Sequence, residues 1–126
     1  AELNPQAVSY NAVINAFAQE GVAKVAAEWV AEMKVAVLKP DVVSYGAVIH
    51  AFARQGDGEA AAKWVAKMDA AELKANVVTY NAVINAFAQQ GDGESAAEWL
   101  AKMEAAELKP NVASFSAIIN AITQQG

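Results

Sequence analysis

A 35-residue period runs through the whole chain, and no other feature restricts its fold as strongly. Tyr10, Tyr45, Tyr80 and Phe115 stand one period apart, as do Trp29, Trp64 and Trp99, and Met33, Met68 and Met103. Lys39, Lys74 and Lys109 keep the same step, as do Gly21, Gly56, Gly91 and Gly126. Self-similarity at one fixed step marks a repeat architecture in which each unit packs on its sequence neighbours. The register divides the chain into the tail of a preceding unit (1–6), three full units (7–41, 42–76 and 77–111) and the first helix of a fourth (112–126).

Each unit reads as two helices. In the second unit Tyr45, Val48, Ile49 and Phe52 fall at i, i+3, i+4 and i+7, the stripe of a helix with one buried face. That helix is expected to start near Ser44-Tyr45, to run to about Arg54 and to end at Gly56, a residue suited to a left-handed closing turn. Asp57-Gly58-Glu59 then supplies the acidic start that a helix N-terminus favours. The second helix is expected to reach about Glu72, with Ala61, Trp64, Val65 and Met68 on its inner face. Pro40 and Pro110 fall in the connectors, where a helix must break. Two helices of this kind cannot bury their apolar faces alone, whereas stacked copies can, so the expected fold is all-α: a solenoid of antiparallel helix-turn-helix repeats. Trp29, Trp64 and Trp99 belong to its packing rather than to a ligand-stacking ladder.

Composition fits this and narrows the chemistry. Hydrophobic residues make up 56% of the 126, many of them alanine, which lets helices approach closely. With no cysteine, disulfides, thiolate nucleophiles and cysteine-based zinc sites are excluded. His50 is the single histidine; it replaces Asn15, Asn85 and Asn120 and reads as a polar surface substitute. Gly56-Asp57-Gly58 and Gly91-Asp92-Gly93 are inter-helix turns, not phosphate loops, and the carboxylates are scattered over repeat positions. Neither catalytic residues nor a metal, cofactor or small-molecule substrate are therefore expected. No apolar run is long enough to span a bilayer, and no Arg- and Ser-rich leader appears.

Val-Val-Ser/Thr-Tyr-Asn-x-Val-Ile at the start of a unit and Met…Leu-Lys-Pro-Asp/Asn at its end resemble the pentatricopeptide repeat family, over essentially the entire chain. The usual glycine near the end of the second helix is Glu72 or Glu107 here. The resemblance implies a right-handed superhelical array and an organellar, chloroplast or mitochondrial, setting. It also implies single-stranded RNA as partner, read one base per repeat. Base choice in that family falls mainly on the residue after the tyrosine and on the last residue of the repeat. Here these are Asn11 with Asp41, Gly46 with Asn76, and Asn81 with Asn111, while Ser116 opens a fourth pair. The analogy assigns U to Asn11/Asp41, C or either pyrimidine to Asn81/Asn111, and a weakly specified base to Gly46/Asn76 with some bias toward A. Val8, Val43 and Val78 match the residues that sandwich bases. A local reading stands beside each: Asp41, Asn76 and Asn111 occupy helix N-cap positions, Asn11 and Asn81 fit as solvated first-turn residues, and the three valines fit as packing between units.

Charge pulls the other way. Net charge is −5 and the isoelectric point about 4.8, whereas nucleic-acid binders usually carry a basic face. The first helices are nearly uncharged, with Arg54 their main cation in the place of Gln19 and Gln89. In the first unit Val22 and Val37 replace charged residues of the later units, and Val25 and Val35 are larger than their counterparts, which marks a possible protein-contact patch. Two functions therefore follow from the sequence. The first is modular RNA binding within a longer organellar factor for RNA processing, stability or translation. The alternative is a repeat scaffold contacting protein subunits of a large organellar complex.

Overall fold

The computed structural model describes residues 5–110 together with 115, 116, 118, 119 and 123. Six helices follow one another: α1 (Pro5–Gln19), α2 (Ala23–Val35), α3 (Val42–Arg54), α4 (Gly58–Ala70), α5 (Val77–Gln89) and α6 (Gly93–Ala105). They form three antiparallel hairpins, and the described residues contain no strand. The all-α solenoid read from the period is the fold observed. The expected fourth-unit helix lies largely outside the described residues.

Helix boundaries differ from the pattern reading for a local reason. α3 begins at Val42, ahead of the apolar stripe, because the Asp41 carboxylate accepts the Ser44 amide at 3.1 Å and fixes the start. Asn76 does the same for α5 through the Thr79 amide at 3.0 Å. α4 stops at Ala70, short of Glu72, because Glu72 is left-handed at φ 62°.

All six helices end in the same way. After α3, the amides of Gly56 and Asp57 return to the carbonyls of Ala53 and Phe52. After α4, those of Glu72 and Leu73 return to Asp69 and Met68. This pair of bonds satisfies carbonyls that a helix end would otherwise leave open, and it requires one left-handed residue. Gly21, Gly56 and Gly91 supply it within the hairpins at φ 75–81°, where glycine pays no steric penalty. Between hairpins the position falls to Val37, Glu72 and Glu107. Val37 is the worst suited, because its branched Cβ crowds the carbonyl at φ 60° and the side chain is 92% exposed, so no packing compensates.

The Tyr and Trp of each hairpin face one another. Tyr10–Trp29, Tyr45–Trp64 and Tyr80–Trp99 stand 5.9, 5.8 and 5.7 Å apart between ring centroids, in tilted geometry. The tryptophans are half-buried against the core rather than stacked on each other, as their packing assignment requires. Two buried clusters meet at α3: Ile14 and Val48 belong to one, Ile49, Val83, Ile84 and Met103 to the other, and all six are fully buried. Each contributes about 2 kcal/mol relative to exposure. Gly58 lets α4 approach α5, since a Cβ there would meet the Phe87 ring at 2.5 Å.

The backbones of the first helices approach closely across hairpins, α1 on α3 and α3 on α5, whereas those of α2 and α4, and of α4 and α6, stand further apart. The array therefore closes on the side of the first helices and opens on the side of the second. Val22 stands in the N-cap place of α2 and caps nothing, where Asp57 and Asp92 cap their helices through the amides of Ala60 and Ser95.

Both irregularities of the first hairpin are removable. Val37→Gly and Val22→Asp are each expected to raise unfolding free energy by about 1 kcal/mol. Chemical denaturation of the two variants beside the parent chain checks this, and the effects should add because the sites lie at opposite ends of α2.

Candidate functional site

The inner side, formed by α1, α3 and α5, carries two neighbouring grooves. One of about 350 Å³ lies over α3, lined by Asn15, Val43, Gly46, His50, Asn76 and Val78 among others. The other, of about 370 Å³, lies between α3 and α5 and is lined by His50, Arg54, Val78, Asn81, Asn85 and Gln89 among others. His50, Arg54 and Val78 belong to both. Among the described residues no carboxylate lines either groove.

The first predicted pair comes together. Asn11 Nδ2 on α1 donates to Asp41 Oδ1 at 3.3 Å, across the boundary between hairpins. The Ser44 hydroxyl, which has one proton to donate, lies within hydrogen-bonding reach of both Asn11 Oδ1 and, at 3.1 Å, Asp41 Oδ1. Ser44 is fully buried, so it fixes both partners from beneath. Asp41 also caps α3, and the capping bonds all use Oδ1, which leaves Oδ2 on an exposed residue without a partner among the described residues.

Asn76 repeats this division of labour. Its Oδ1 accepts from the Thr79 amide and from the Thr79 hydroxyl, each at 3.0 Å. Capping an amide demands the oxygen, so the Nδ2 hydrogens point elsewhere and meet no described partner. The local reading and the ligand reading of these positions are therefore compatible, because one heteroatom caps while the other remains available.

Gly46 leaves open space, with nothing within 4 Å of where a Cβ would stand. Asn81 is half-buried on α5 and lines the second groove. Its predicted partner Asn111 lies outside the described residues. Ser116 is exposed. Val8, Val43 and Val78 are all at least half exposed. Val43 and Val78 stand on the walls of the groove that Gly46 opens.

The predicted apolar patch of the first hairpin does not form one surface. Val22 and Val25 lie at the start of α2, Val35 and Val37 at its end, about 20 Å away along the axis. Val25 is also half-buried, whereas Val35 and Val37 are exposed.

Two features escaped the sequence reading. His50 is not a simple surface substitute: it is half-buried in the inner grooves, and burial, then the charge of Arg54, hold its imidazole below the ordinary value of 6.5. The available signal was the pairing of two changes, Asn to His50 and Gln to Arg54, one helical turn apart. The second feature is a set of glutamine ties between hairpins. Gln55 Nε2 donates to the Gly21 carbonyl, and Gln90 Oε1 accepts the Gly58 amide at 3.0 Å. Gln55 and Gln90 stand one period apart, which was visible, but nothing in the period said that the side chains reach back to the preceding turn.

On the outer side, Lys67 lies 5.1 Å from the centroid of Trp64 and Lys102 4.8 Å from that of Trp99, so part of the basic charge rests on aromatic faces away from the grooves. Among the described residues no group of His, Asp and Glu is placed to hold a metal ion, and no helix is long and apolar enough to cross a membrane.

Helical hairpins repeated at this step, with a groove along the first helices, define the chain as an α-solenoid repeat protein. Family models agree: the Pentatricopeptide repeat domain matches residues 63–125, and the PPR repeat family matches residues 5–54 and 40–81. The chain belongs to the pentatricopeptide repeat family. Its fold is similar to the crystal structure of the pentatricopeptide repeat protein PPR10 from maize, with a TM-score of 0.88 and 25% identity over 99% of this chain. PPR10 in complex with an 18-nt psaJ RNA element matches at a TM-score of 0.80, with 25% identity over 98% of this chain. A cysteine-to-serine variant in the same kind of complex matches equally. The chain spans 18% of the length of each of these structures. A search of curated proteins by sequence finds no match.

The Asp41 arrangement separates its two roles by experiment. Asp41→Ala is expected to cost about 1 kcal/mol of stability through loss of the α3 cap, whereas Asp41→Asn keeps the capping oxygen and costs only a few tenths. Urea denaturation followed by circular dichroism reads both.

Proposed function

We propose that the chain binds single-stranded RNA along the inner grooves, as one segment of a longer organellar RNA-binding protein acting in RNA processing, stability or translation. The units are 7–41, 42–76 and 77–111, each taking one base. The observation that carries this is the meeting of Asn11 and Asp41 across a hairpin boundary, the two residues that the family resemblance pairs for base choice. The solved complexes of PPR10 with RNA support the partner class.

In this reading Val8, Val43 and Val78 flank successive bases, and Asn11 with Asp41 addresses a pyrimidine edge. Asparagine offers both a donor and an acceptor there, and a carboxylate adds an acceptor. Asn81 plays the same part in the third unit with Asn111, and Ser116 in the fourth. The second unit selects least, because Gly46 brings no polar group. Arg54 supplies the attraction for phosphate that the otherwise neutral track lacks. The net charge of −5 keeps affinity modest.

A second reading is favoured by a separate observation. Val22 and Val37 sacrifice a helix cap and adopt a strained backbone while remaining exposed, and local rules are broken more often where a surface is used. A protein subunit of an organellar assembly, contacting each end of α2, would account for them.

Fluorescence anisotropy with short U-rich, C-rich and A-rich RNAs distinguishes these readings. Pyrimidine RNA is expected to bind more tightly, and Asn11→Ala with Asn81→Ala together to weaken it by about thirtyfold, equivalent to about 1 kcal/mol per lost base contact. Arg54→Gln should lower affinity for every sequence and reduce the salt slope by about 0.7, the value of one phosphate contact on a single strand. A folded chain that binds no RNA at low salt would remove the first reading and leave the second.

A further inference from the structure

We propose that RNA binding by this chain is coupled to protonation of His50, whose imidazolium joins Arg54 in a two-cation phosphate clamp on α3. The inference rests on the RNA reading above and adds to it a regulated contact at the second hairpin.

Four observations converge on this site. His50 and Arg54 stand one helical turn apart and line both inner grooves, which also share Val78. Among the described residues they are the only ionisable groups lining either groove. The equivalent positions in the flanking hairpins are neutral amides, Asn15 and Gln19 before, Asn85 and Gln89 after, so both changes toward a cation fall on one unit. That unit is also the one in which Gly46 contributes no base-reading side chain. The second hairpin thus exchanges base selection for backbone attraction.

The charged surroundings determine the sign of the coupling. α1 and α5, which flank α3 on the groove side, carry no ionisable side chain besides Tyr10 and Tyr80; Glu20 follows the end of α1. α2 carries Lys24, Glu28, Glu32 and Lys34, and α4 carries Glu59, Lys63, Lys67 and Asp69, but none of these lines either groove. No carboxylate is therefore placed beside the imidazole to hold its proton. In the free chain, half-burial and Arg54 together keep the ring neutral near pH 7. A phosphodiester seated between the two side chains reverses that balance. It offsets the Arg54 charge and offers an acceptor to the imidazolium N–H, so the bound state takes up a proton that the free state does not hold. The same geometry gives the neutral ring little to offer a phosphate beyond a single donor.

The coupling has a definite direction. Affinity should rise as pH falls through the range in which the bound imidazole titrates, by about three- to tenfold between pH 8 and pH 6, since one proton changes the binding constant by at most tenfold per pH unit. Stability of the free chain runs the opposite way. A depressed histidine favours the folded state above about pH 6.5 and loses that contribution as pH falls, because the unfolded chain binds the proton first.

The test is anisotropy with a short U-rich RNA across this pH range at constant ionic strength, on the parent chain and on His50→Asn, which restores the side chain of the neighbouring units. The parent is expected to bind more tightly at low pH and His50→Asn to show a flat profile at the affinity of the neutral form. His50 is the only histidine, so its imidazole proton resonance reports its titration without ambiguity, and its midpoint should move upward when RNA is added. Equal pH dependence in the parent and His50→Asn, or a midpoint unmoved by bound RNA, would overturn the coupling while leaving RNA binding intact. Absence of binding at every pH and at low salt would overturn the RNA reading and this inference with it.

Discussion

A hairpin of two short helices buries one side of each helix and leaves the other side bare, and everything else in this molecule depends on how that bare side is covered. α3 is the clearest case. Tyr45 and Ile49 join the core shared with α4 and α5, while Val48 and Ala51 join the core shared with α1 and α2. One helix thus serves two cores, and only a neighbour in the same register can complete either. The 35-residue step is the consequence in sequence of that packing requirement.

The same requirement produces the surface proposed to bind RNA. Because first helices pack on first helices and second helices stand further apart, residues at one place in the period line up along the closed side of the array. Asn15, His50 and Asn85 form such a row, and Val8, Val43 and Val78 another. A one-dimensional ligand laid along the rows meets the same backbone geometry at each step and a different side chain. The boundary residues Asp41 and Asn76 link the two tasks, since the oxygen that starts a helix also orients the atom beside it. Buried Ser44 and Thr79 hold these caps rigid, at positions where an apolar residue would leave the caps free to turn.

Much of the fold was legible because periodicity carries it. The stripe of Tyr45, Val48 and Ile49 named the buried face of α3, and Gly56 and Asp57 named the turn between α3 and α4. What the pattern misjudged were ends. α3 began earlier than its apolar stripe, because a cap acts through hydrogen bonds and not through hydrophobicity. α4 ended before Glu72, because a left-handed residue outside glycine and asparagine leaves no mark in composition. The site was legible only in part. The pairing of Asn11 with Asp41 followed from family resemblance, and the structure brings the two side chains together. The proposed patch of Val22, Val25, Val35 and Val37 failed as one surface, since residues at the two ends of a helix are near in sequence but not in space. His50 was undervalued for a related reason: a polar substitution at a polar position looks neutral until its neighbours across the groove are known to be uncharged.

Ligand contacts are proposed to follow the first helices and not the second. Photocrosslinking of a short RNA carrying 4-thiouridine, with the linked peptides identified by mass spectrometry, tests it directly. Crosslinks confined to α1, α3 and α5, at or beside Val8, Val43 and Val78, are the predicted result. Crosslinks clustered on α2, α4 or α6, around the Lys67–Trp64 and Lys102–Trp99 surfaces, would contradict it.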